Sequence, residues 1–167
     1  HADQLGQLPV EPTAVARALC ADVIGLRAPV MLGPGQAGCV ADELVPGSGI
    51  DLEAARAALP DNLYWELAAP TQDQRLLAER ERARARWEEA FGRVQAGDAT
   101  QEEIEAYFDH RQRLSSDYVH VVAYLIEHHQ ADLSEDHLAL LHTARRLHLA
   151  RLEEIPRRLQ EAYDRGK

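Results

Sequence analysis

The chain has 167 residues, 46% of them hydrophobic, which is enough to bury one core and too apolar for wholesale disorder. Its 28 acidic against 18 basic side chains give a formal charge of −10, so most of the surface repels a polyanion and nucleic acid is not an expected partner. No apolar run reaches the roughly 18 to 20 residues that a bilayer span needs.

The first residue is His1 rather than methionine, which reads either as a mature start after signal-peptide removal or as the remnant of a purification tag. Cys20 and Cys39 make an even pair. In an exported protein they close one disulfide, worth about 3 kcal/mol on the loop-entropy argument; in a cytosolic one they are two small buried thiols. The expectation taken forward is an extracytoplasmic protein, periplasmic or secreted, with the cytoplasm as the alternative.

Composition shifts near residue 70. Seven of the ten glycines fall in the first 49 positions and seven of the eight prolines in the first 70, so residues 1–70 read as a loop-rich cap and 71–167 as a long-helix bundle within a single helical domain. The cap contains two short helical readings. One spans 12–26, with Val15, Leu19 and Val23 on one face; the other spans 51–59, with Asp51 as N-cap and Pro60 as the stop. Between them, "GPGQAG" has no following Lys-Ser/Thr and is not a phosphate cradle.

Three long helices follow, over about 72–96, 101–131 and 135–165. Thr71 is placed to cap the first and Gly97 to end it; Thr100 with Glu103 forms a capping box for the second; Ser134 or Asp132 opens the third. Connections this short force antiparallel neighbours, so the expected fold is all-α, an antiparallel bundle of three long helices. Ile104, Tyr107, Phe108, Leu114, Tyr118, Val121, Val122 and Leu125 share one face of the second helix. Leu138, Leu141, Ala144, Leu152, Ile155, Leu159 and Tyr163 share one face of the third. In the first, Leu76, Leu77, Trp87, Phe91 and Val94 align, interrupted by Arg80 and Arg84, whose stems can lie on apolar surface with the charge in water. Acid–base pairs at i,i+4, such as Glu89 with Arg93, Asp109 with Arg113 and Glu154 with Arg158, mark solvated faces. Pro156 inside the third helix removes a hydrogen bond and should bend it.

Seven of the eight histidines lie between residues 110 and 148. Helical projection leaves His120 exposed, puts His110, His128 and His142 at edges, and turns His129, His137 and His148 inward. A hairpin turning near residue 133 sets His129 against His137 and Tyr118 against His148. The second pair reads as a buried polar contact, imidazole and phenol sharing a hydrogen bond. His128, His129 and His137, with Asp132 and Asp136 close in sequence, have the chemistry for zinc or copper, although no HExxH or cysteine set accompanies them. The simpler reading is a polar helix turn whose histidines sit near the last carbonyls of the second helix. His1 as a copper-binding amino terminus and Ser116 with His120 as a hydrolytic pair are outweighed by a tag remnant and a solvated face. The one basic cluster, Arg80, Arg82, Arg84 and Arg86 with Arg75 and Arg93 flanking, either docks an acidic partner or is a solvated face laced with glutamates.

The long charged helices and the kinked last one resemble extracytoplasmic helical chaperones and adaptors, although no motif carries over residue by residue. The leading expectation is a non-enzymatic protein-interaction module that binds another protein or a second copy of itself, along the hairpin or in a groove between it and the front segment. A metal-binding or metal-sensing protein using the hairpin histidines is the second expectation.

Overall fold

In a computed structural model, residues 50–69 and 71–167 are described. The helix expected over 12–26, the Cys20 and Cys39 pair and His1 lie outside the described residues. Among those described there is no strand, and five α-helices follow one another: α1 (Leu52–Ala58), α2 (Leu63–Leu67), α3 (Gln74–Ala96), α4 (Gln101–His129) and α5 (Glu135–Arg165), with a 3₁₀ turn at Gln130–Asp132.

The ends of these helices follow side-chain chemistry. Asp51 caps α1 by accepting from the amide of Glu53. Thr100 and Glu103 complete the reciprocal capping box on α4, and Ser134 caps α5 by accepting from the amide of His137. The start of α3 corrects the sequence reading: the cap is Asp73, whose carboxylate accepts from the amides of both Arg75 and Leu76, while Thr71 hydroxyl accepts from Asp73 itself. A carboxylate satisfying two of the four unpaired helix amides outcompetes a hydroxyl two residues upstream. Gly97 ends α3 in the left-handed region at φ 78°.

The three long helices pack as an antiparallel bundle. All eight apolar residues projected onto one face of α4 are buried, and α5 meets them with Leu141, Ala144, Ile155 and Ala162. Two core clusters result. One joins Leu114, Tyr118, Val121, Val122, Leu125, Leu141 and Ala144 of the hairpin to Ile50, Ala55, Leu63, Tyr64 and Trp65. The other lies nearer the α3–α4 bend, where Val94, Ile104, Tyr107, Phe108, Ile155 and Ala162 are covered by Trp87, Phe91, Leu159 and Tyr163.

Helix α3 buries far less than its spacing suggests. Val94 is its one buried residue, Trp87 and Phe91 are half-buried and Leu77 is 39% exposed. Helix α2, missing from the sequence reading, packs against α4 and also meets α3. The surface ion pairs also differ from the spacing argument. Glu154 with Arg158 forms as read, whereas Arg113 pairs with Asp117, Arg157 with Glu161, and Arg93 reaches across the bend to Glu103. Exposed pairs of either direction differ by only tenths of a kcal/mol, so spacing alone does not choose between them. Helix α5 continues through Pro156 without a break.

Candidate functional site

The densest arrangement of chemistry surrounds α2. Asn62 caps this five-residue helix by accepting from the amide of Tyr64 at 2.9 Å, and donates through its own amide group to the carbonyl of Asp117 at 2.6 Å. The Asp117 carboxylate accepts from the amide of Leu63 at 2.8 Å. At the other end, Arg80 of α3 donates to three main-chain carbonyls, Glu66 at 2.7 Å, Ala69 at 2.8 Å and Trp65 at 3.2 Å. These are the groups that a helix end leaves without partners. Arg80 was read as a stem lying on apolar surface with its charge in water; its guanidinium instead closes α2, because three carbonyls converge on a planar five-donor group.

Inside the seat, aromatic rings stack edge to face. Trp65 lies 5.0 Å from Tyr64, Tyr64 lies 5.7 Å from Tyr118, and Tyr118 lies 5.1 Å from His148. Trp65 donates its indole N–H to the carbonyl of Leu59 at 2.6 Å. Tyr64 has no exposed surface, and among the described residues its hydroxyl has no hydrogen-bond partner. Burial pushes that hydroxyl well above the ordinary phenol range, with the nearby Arg80 charge pulling it partly back. Burial in turn lowers the guanidinium of Arg80, while Tyr118 and Tyr64 act the other way.

Tyr118 and His148 are brought together at the register the hairpin implies, in a ring contact, and Ser115 Oγ lies 3.5 Å from Nδ1 of the imidazole. Ser115 is wholly buried. Its place beside the apolar face of α4, next to Leu114 and one turn from Tyr118, was the available signal for it.

The histidines expected to share a metal go separate ways. His128 is exposed and stacks on Tyr124 at 4.1 Å; His129 lies 3.9 Å from an Asp132 carboxylate oxygen; His137 is buried in the first turn of α5. Among the described residues no group of three or more His, Cys, Asp or Glu side chains is gathered as a metal would require. His120 and His142 are exposed, and His110 stacks face to face on Trp87 at 3.9 Å. No described helix is long and apolar enough to cross a membrane. Comparison with protein families, curated proteins and solved structures finds no match to this chain.

Proposed function

We propose that this chain is a non-enzymatic helical protein-interaction module, adaptor-like or chaperone-like, that receives another protein along the first half of α3. The observation supporting this reading is the poor burial of that helix. From 74 to 86 no residue of α3 is buried, and Leu77 stands 39% exposed. A helix gains most of its stability from packing an apolar face, so a long capped helix with no buried residue over its first half is a surface suited to a partner. Arg82 and Arg86, beside Arg75 and Arg84 that pair with Glu79 and Glu81, leave the same stretch with more arginines than glutamates in a chain whose formal charge is −10, which suits an acidic partner.

The test is a photo-reactive phenylalanine analogue placed at Leu77, with the same group at Gln160 as an exposed control, irradiated in cells that make the protein. Discrete protein adducts from position 77 and none from 160 are expected. A chain that is monomeric by light scattering and yields no adduct at position 77 overturns the reading.

A further inference from the structure

The side chains with which the long helices grip the α2 region all end on its main chain. Asp117 accepts from the amide of Leu63, Arg80 donates to the carbonyls of Trp65, Glu66 and Ala69, and Arg113 donates to the carbonyl of Asp61 at 3.4 Å. Main-chain amides and carbonyls are common to any short helix, so these contacts recognise a helix end without reading its sequence. Selectivity comes from the Asn62 amide group, which donates to the carbonyl of Asp117, and from the apolar cluster of Leu114, Tyr118, Val121 and Leu125 that takes Leu63, Tyr64 and Trp65. The present occupant fits that cluster imperfectly, because the Tyr64 hydroxyl is buried with no partner among the described residues and bears its full desolvation cost.

We propose that the seat of α2 is a receptor for a short partner helix carrying two adjacent aromatic residues, and that α2 occupies it in cis as a tethered competitor. The partner helix has Phe or Trp rather than Tyr at the place of Tyr64, since the Tyr64 hydroxyl finds no hydrogen-bond partner there among the described residues. The seat shares Arg80 with the first half of α3, but its probe reads occupancy by a peptide rather than adducts at Leu77, so the two readings fail separately.

The probe is a fluorescein-labelled peptide spanning residues 59–69 with Tyr64→Phe, titrated by anisotropy into the unaltered chain and into the Tyr64→Ala/Trp65→Ala chain. Saturable binding to the altered chain is expected, at least about tenfold tighter than to the unaltered chain, where only the fraction with an open seat can bind. Adding Asp117→Ala to the altered chain should weaken the peptide by about tenfold or more. Absence of saturable binding to an altered chain that keeps its helical circular dichroism, or equal binding by both chains, overturns the proposal. Hydrogen exchange on the unaltered chain tests it without any substitution. Amides of residues 63–69 are expected to exchange at least about tenfold faster than those of 121–125; exchange of both segments in one global event overturns it.

Discussion

Asp117 and Arg80 stand on different long helices and hold opposite ends of one five-residue helix, the carboxylate on the amide of Leu63 and the guanidinium on the carbonyls of Trp65, Glu66 and Ala69. A helix this short does not form on its own, so its existence depends on tertiary contacts of this kind. Asp117→Ala is expected to lower unfolding free energy by about 1.5–3 kcal/mol, the range for a hydrogen bond to a charged group. Arg80→Met should cost a similar amount. Because both act on α2, the double variant is expected to lose less than the sum, read from urea midpoints at unchanged slope. Strict additivity would show the two ends to be held independently.

Tyr64→Phe removes a buried hydroxyl that has no acceptor among the described residues while leaving the ring packing intact. The variant is expected to be as stable as the parent at neutral pH or more stable by up to about 1–3 kcal/mol. The alkaline limb gives a second readout. A phenol whose folded pKa is raised contributes stability that is complete below its unfolded value, about 10, and is lost as pH rises beyond it. Tyr64→Phe should therefore flatten the fall in stability above about pH 10. Tyr107 is raised by burial in the same direction and keeps part of that slope. An unchanged alkaline limb would contradict the burial of Tyr64.

Two glycines of the first long helix predict opposite outcomes. A Cβ on Gly97 would sit 2.9 Å from the carbonyl oxygen of Arg165 at a backbone φ of 78°, so Gly97→Ala is expected to destabilise by at least about 1–2 kcal/mol. A Cβ on Gly92 meets nothing within 4 Å in the helix interior, so Gly92→Ala should stabilise by about 0.5–1 kcal/mol. Thermal unfolding of the pair, measured side by side, checks both signs.

The capping box carries an acid dependence. The backbone N–H of Thr100 is the main group holding the Glu103 carboxyl below the ordinary glutamate range, with the Arg93 guanidinium adding to it. A carboxyl depressed in the folded state contributes stability that is present above its unfolded pKa, about 4.3, and is lost as pH falls through the lower folded value. Glu103→Gln is expected to reduce the loss of stability below about pH 4.3, while Thr100→Ala costs about 1 kcal/mol at neutral pH. Acid titrations followed by circular dichroism distinguish the two effects.

Much of this fold can be read directly from residue order. The α4 face is legible because eight apolar residues repeat at helical spacing over many turns, and Thr100 and Gly97 carry clear end chemistry, while of the two candidates Ser134 and Asp132 the structure uses Ser134. Helix α2 is not legible. Its residues LYWEL are too few to show a period, and Pro60 and Pro70 bracket them like a loop. Missing α2 also hid the role of Arg80, which has meaning only once carbonyls from residues 65–69 converge on it. His128, His129 and His137 are not gathered into one group among the described residues, because consecutive residues on a helix point about 100° apart and the 3₁₀ turn at Gln130–Asp132 separates the first two from His137.

The missing side chain at position 97 lets the last turn of α5 lie flush against the bend that joins α3 to α4. That bend and the final turn of α5 are thus fitted to one another with a single hydrogen atom between them. Lengthening either by one methyl group would pry apart segments far removed along the polypeptide, and the loosening would surface first as fraying of the closing turn near Arg165.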